Sequence, residues 1–382
     1  MEFEKEASQN RSWTLQVSGE PGVGKTWLLR LFLLVGCEND KWWRLRCGKS
    51  SGLAEELLTS ILTRYPRWQT LEGMTDEMIS ILRYQGTDLT RGYFNRNMPS
   101  GGIETLYNDE DFHEIAWQLI SNTIDRQDGA LRVWVEDLHF SDNHALTFLN
   151  YLRTNCQQRD LQLNIVFTIT NNGISASVRE FTKCLTPDFK LRLMPWDEEE
   201  VASLMKHDYG ITLNQSNREF AAEFYQRVGG LPFQVTQTLA YLQEKRVLVE
   251  KKGYGWGVRD WRQFMWPSSL EQVLESRLER ISKHVTAWQV LTAISLSPDP
   301  DNMKAVEKAL GLSPEVLGKQ LSLLYYNGFL DRECRFRQPV IRDVVLQMLS
   351  KDEKETITEK LGRALRKSYH PDLEGQPDTN LL

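Results

Sequence analysis

One octapeptide constrains this chain more than any other feature: Gly19-Glu20-Pro21-Gly22-Val23-Gly24-Lys25-Thr26, which fits GxxxxGK[ST]. The residues before it, Trp13–Ser18, predict a short strand. Those after it, Lys25–Val35, predict a mostly apolar helix ending at Gly36. Strand, glycine-rich turn and helix start form an anion cradle when they occur in that order. The glycines let backbone N–H groups turn inward, and the helix points its positive end at the same charge. In such a loop Lys25 reaches the β- and γ-phosphates and the Thr26 hydroxyl ligates magnesium. Trp27, next in the helix's first turn, joins the expected nucleotide-binding set of Gly19 through Thr26. A chance match in an ordinary glycine-rich turn would not need both flanking elements.

The rest of the first half alternates strand and helix. Strands are expected at Trp42–Cys47, Arg132–Glu136, Leu163–Thr170 and Phe189–Leu193, the last three of the buried type. Helices are expected at Leu53–Thr63, Phe112–Ile124 and Asn143–Asn155, with an irregular insertion over about Tyr65–Asp111. That alternation predicts an α/β fold, a parallel sheet with helices on both faces. The pattern changes at Pro195. Helices alone are expected from Glu198 to Lys245, broken at Gly210 and at Gly229–Pro232. A β-hairpin follows over Val247–Arg259, then three or four helices, a strand-like Phe329–Phe336 and more helix to about Lys367.

Val133-Trp134-Val135-Glu136-Asp137 is an apolar strand ending in two acids. Beside a phosphate loop, one such acid holds magnesium and the next polarises the attacking water. Glu136 is assigned to magnesium, with Thr26, and Asp137 to water. His139 can sense the γ-phosphate, support the acids, or simply hydrogen-bond near the strand end. Glu198-Glu199-Glu200 suits the first turn of a helix, where the dipole favours acids.

Composition removes several classes. With 46 Lys and Arg against 52 Asp and Glu, the net charge of −6 gives no broad footprint for nucleic acid. The five cysteines are scattered and none stands in a CxxC, which argues against a disulfide framework or a zinc site. The start is not a signal peptide, and the longest apolar run, Trp27–Cys37, is too short for a bilayer. A cytoplasmic protein without membrane contact is expected.

Glu136-Asp137-Leu138-His139-Phe140-Ser141-Asp142 resembles the "EDLHWAD" signature of the STAND class, the signal-transduction ATPases with numerous domains. The branch it is most similar to occurs in large bacterial LuxR-type regulators and in adenylate-cyclase-linked ATPases. Gly229-Gly230-Leu231-Pro232-Phe233 resembles the family's GxP motif. Trp266-Pro267 with Leu270–Leu278 is similar to its "lP-x-tl-x-evl-x-xRL", and Phe336–Asp343 to its "FrH-x-liRe". Three departures stand out. No "vGRe" precedes Trp13, Thr168-Ile169-Thr170-Asn171 replaces "GTyR" and its sensor arginine, and Gln338 replaces the histidine of "FrH".

The resemblance implies a P-loop NTPase domain (1–194), a helical lid with a β-hairpin (195–266), a winged helix (267–350) and a C-terminal helix and tail (351–382). It implies ATP, ADP and Mg²⁺ as ligands and a slow ATPase that switches conformation and assembly with nucleotide, through self-association or a partner protein. Pro232 is then a candidate for packing near adenine; a proline that merely starts a helix is the other reading. The alternative function is an AAA+ initiator or loader whose winged helix binds DNA. The helix expected after the cap Ser313 disfavours it, since Glu315–Tyr326 carries one cation, Lys319.

Overall fold

The computed structural model describes residues 12–36, 42–47, 53, 57, 109–124, 130–170, 174–211, 214–251, 255–297 and 302–369. The expected insertion is almost wholly outside them, as are Cys37, the turn of the hairpin and the C-terminal tail. The chain divides into two compact units, Met1–Met194 and Pro195–Leu382.

The first unit is a five-stranded parallel sheet in the order β2-β3-β4-β1-β5. Its strands are β1 (Trp13–Ser18), β2 (Trp43–Arg46), β3 (Ala130–Glu136), β4 (Gln162–Ile169) and β5 (Phe189–Arg192). The described residues also form helices α1 (Lys25–Gly36), α2 (Asp109–Ile124), α3 (Asn143–Gln158) and α4 (Ala176–Leu185). Period-two alternation sorts the strand side chains onto two cores. Trp13, Leu15 and Val17 of β1, Trp134 of β3 and Val166 of β4 meet Leu29 of α1 on one face. Leu131, Val133 and Val135 with Leu163, Ile165 and Phe167 meet α2 and α3 on the other. Leu53 and Leu57, both helical, join that second core. Both faces are therefore covered, as a parallel sheet requires. The result is an α/β P-loop NTPase fold followed by a helical C-terminal region.

The topology sets where a ligand can bind. From β1 the chain crosses to the far edge at β2, returns through β3 and β4, and passes over β1 to reach β5. The connections leave β1 in one direction and arrive beyond it in the other. Crevices open at the carboxyl ends of strands at such a point. The phosphate loop follows the carboxyl end of β1, and the two acids lie at the carboxyl end of β3, with β4 between.

Two expectations for this unit need correction. β5 is no buried strand: among the described residues it pairs with β1 alone, and Lys190, Leu191 and Arg192 are exposed at that edge of the sheet. Helix α4 has no counterpart in the sequence reading, although Val178, Phe181 and Leu185 stand at helical spacing and pack on the same core.

The second unit begins with α5 (Glu198–His207), α6 (Gln215–Val228) and α7 (Pro232–Glu244), followed by the antiparallel pair β6 (Leu248–Lys251) and β7 (Gly255–Val258). Asp197 caps α5 in a capping box with Glu200, which explains the acidic run. Phe220, Phe224, Val235, Leu239 and Leu242 centre this core. Helices α8 (Leu270–Ser282), α9 (Val285–Leu296), α10 (Met303–Leu310), α11 (Pro314–Tyr326), α12 (Pro339–Met348) and α13 (Lys351–Tyr369) build a second core around Leu278, Leu291, Leu324 and Ile341. Helix α13 contributes Leu361 to it. The strand expected at Phe329–Phe336 reduces to one bridge, Leu330 to Phe336. Between them Asp331 N–H bonds Arg335 O at 2.7 Å and Cys334 takes a left-handed turn, so the segment folds back at once.

Candidate functional site

The loop Gly19–Thr26 is held tightly at its first residue. A Cβ on Gly19 would lie 2.8 Å from both Leu193 O and Val23 Cγ1, so only glycine fits where the loop leaves β1. Gly24, at φ 101, has nothing within 4 Å of a Cβ: its backbone faces open space in a conformation that suits glycine. The first helical bond, Leu28 N–H to Gly24 O at 2.9 Å, starts α1 there. Lys25 is buried and arches back over its own loop. Its Nζ donates to Gly19 O at 2.9 Å and to Glu20 O at 3.0 Å. An ammonium has three donors, so one remains for a phosphate oxygen. Burial lowers the Lys25 pKa, and Asp137 opposes the shift. Glu20 and Pro21 are exposed, Val23 is buried and Thr26 is half-buried. Trp27 is 67% exposed.

The two acids at the end of β3 sit in different surroundings. Glu136 is fully buried. Its Oε2 accepts from Arg46 Nε at 2.8 Å and from Arg44 Nη2 at 2.7 Å. Its Oε1 is buried without a hydrogen-bond partner. Asp137 is left-handed at φ 54, a strained conformation that Asp tolerates better than most residues. Its N–H is pinned to Thr168 Oγ1 at 2.8 Å. Burial raises the Asp137 pKa, and so does Glu136; Arg46, Lys25 and Arg44 offset part of the shift. His139, in the turn Leu138–Phe140, is pushed down to about 4 by burial and then by the charge on Lys25. Lys25, Asp137 and His139 thus share one electrostatic neighbourhood.

Among the described residues no cluster of three His, Cys, Asp or Glu could hold a metal alone. Magnesium in a phosphate site needs no such cage, because phosphates and waters fill most of its octahedron. The Thr26 hydroxyl and the unpartnered Oε1 of Glu136 fit that sparse donor set. Arg44 and Arg46 are the residues that reading the sequence missed. Their signal was two arginines alternating with apolar residues in a short strand, where charge is out of place without a partner.

Pro232 belongs to the second unit, at the first position of α7. The preceding Gly230 meets a backbone: a Cβ there would fall 1.7 Å from Trp196 O, and Trp196 N–H donates to Gly230 O at 2.8 Å. The glycine of this motif is therefore accounted for by close packing within the unit.

No family model matches the chain, and no curated protein matches it. Among solved structures it is similar to the Orc1 protein of Aeropyrum pernix in complex with DNA, at 11% identity, 88% of this chain, 87% of that chain and a TM-score of 0.40. It is also similar to Cdc6p from Pyrobaculum aerophilum, at 12% identity, 91% of this chain, 88% of that chain and a TM-score of 0.37. A likeness of this degree transfers no functional residue. No helix among the described residues is long and apolar enough to cross a membrane.

Proposed function

We propose that the first unit binds ATP with magnesium and hydrolyses it. The observation that carries this reading is the posture of Lys25, clasped by the Gly19 and Glu20 carbonyls across a loop of open glycine backbone. A buried cation held over open glycine backbone suits a phosphate anion. Bound magnesium would neutralise charge on the β- and γ-oxygens. Lys25 would hold the same oxygens, Thr26 and Glu136 would meet the metal side, and Asp137 would orient water. The raised pKa of Asp137 suits a group that accepts a proton. The test is equilibrium ATP binding to the wild type and to Lys25→Ala. Loss of a charge-assisted contact of about 3 kcal/mol predicts about 100-fold weaker binding. Equal affinity in the two proteins would sink the assignment.

The finer reading is a STAND-type switch whose conformation and assembly follow the nucleotide, with residues 195–266 as lid, 267–350 as winged helix and Pro232 beside adenine. An initiator or loader whose winged helix binds DNA stands beside it. The observation on its side is the exposure of α11, where Glu315, Val316, Lys319, Ser322 and Tyr326 all face outward. The Orc1 protein with DNA and Cdc6p stand nearer to this second reading. Particle size with ADP and with ATP addresses the first, and duplex DNA binding the second.

A further inference from the structure

We propose that Arg46, seconded by Arg44, is a positioning residue for magnesium-bound nucleotide. The two guanidiniums grip Glu136 by one carboxylate oxygen and leave the other without a hydrogen-bond partner. The inference rests on the ATPase reading above and gives β2 a part in the site.

The register makes the arrangement possible. Arg44 lies opposite Trp134 and Arg46 opposite Glu136 on paired parallel strands, so all four side chains share one face. On that face Trp134 packs with Leu29 of α1, the helix that carries Lys25 and Thr26 at its start. Burying a carboxylate costs several kcal/mol unless cations compensate, and here two do. Arginine paired with a carboxylate frequently meets both of its oxygens in a fork. Instead Arg46 Nε at 2.8 Å, Arg46 Nη2 at 2.6 Å and Arg44 Nη2 at 2.7 Å all converge on Oε2. Oε1, equally buried, is left unpartnered. An orphaned buried acceptor costs roughly 1–3 kcal/mol or more, and a bound ion is one of the partners that can satisfy it. The Arg44 guanidinium also lies 4.7 Å from the centre of the Trp134 ring, which fixes its plane. Arg46 makes two of the three bonds, so the test falls on Arg46.

The experiment titrates a fluorescent ATP analogue into the full chain, once in EDTA and once in excess Mg²⁺. Wild type should bind in both and more tightly with Mg²⁺. Arg46→Met should match wild type in EDTA but lose about 10- to 100-fold of the Mg²⁺ enhancement, as outer-shell partners of metal ligands do. Arg46→Lys keeps the charge without the fork and should fall between. If Arg46→Met does not fold, Arg46→Lys carries the test alone. Wild-type Mg²⁺ enhancement in every folded variant overturns the inference and leaves the ATPase reading standing. Failure of wild type to bind the analogue in either buffer overturns both.

Discussion

At the residue scale, the site is a problem of charge in a confined place. Lys25, Arg44 and Arg46 face Glu136 and Asp137; burial is the first cause of the lowered Lys25 pKa and of the raised Asp137 pKa, and neighbouring charges come second. Glu136→Gln and Asp137→Asn are each expected to bind ATP yet hydrolyse it at least about tenfold more slowly, because such groups contribute a few kcal/mol to the barrier. Steady-state phosphate release measures this, and wild-type rates in both variants would make the strand end structural. His139 adds a pH signature. Its pKa falls from 6.5 to about 4 in the folded protein, so the unfolded chain binds the extra proton between those values. Stability therefore rises with pH there: the contribution is complete above 6.5 and is lost as pH falls toward 4. The Tm should drop across that interval, and His139→Gln should flatten the drop. An unchanged slope would mean that His139 is no more buried folded than unfolded.

At the scale of elements, the strand ends and helix starts were legible and the partnerships across strands were not. β1, the phosphate loop and α1 stand where the glycines and the apolar runs place them. The exposed edge strand β5 alternates apolar and basic residues, Phe189-Lys190-Leu191-Arg192, a pattern that fixes a strand without saying how many strands pair with it. Helix α11 begins at the expected cap, Ser313, whose Oγ accepts from Val316 N–H. Its outer face carries one lysine and one acid. The arginines that follow it are engaged within the unit: Arg337 Nε donates to Leu330 O at 3.0 Å, and Arg332 Nε to Tyr325 Oη at 3.2 Å. Tight DNA binding from this region is therefore not expected. Titration with duplex DNA at about 150 mM salt should show no Kd near 10⁻⁸ M. Affinity in that range, lost on Lys319→Ala, would promote the initiator reading over the switch.

At the scale of the whole molecule, each unit has its own cores, and the first carries the phosphate loop and the two acids. A ligand that binds the folded form alone stabilises it by mass action. ATP with Mg²⁺ at about 100 times its Kd should stabilise the first unit by about 2.7 kcal/mol. Calorimetry should show the transition assigned to residues 1–194 moving up with nucleotide in wild type and staying still in Lys25→Ala. Movement in both would place the ligand elsewhere.

The local elements could be read directly because each rests on neighbours along the chain. A glycine-rich turn, an apolar strand and a capped helix report their own backbone preferences within a few residues. The phosphate loop is such an element, and so are the acids at the end of β3. The sheet order and the clasp on Glu136 could not be read that way. Arg46 and Glu136 are 90 residues apart in sequence, and nothing near either names the other. Parallel pairing set them side by side, and burial then turned an ordinary carboxylate into one that needs two guanidiniums. The same holds for Gly230, whose lack of a side chain matters only because Trp196 O comes to rest where a Cβ would be.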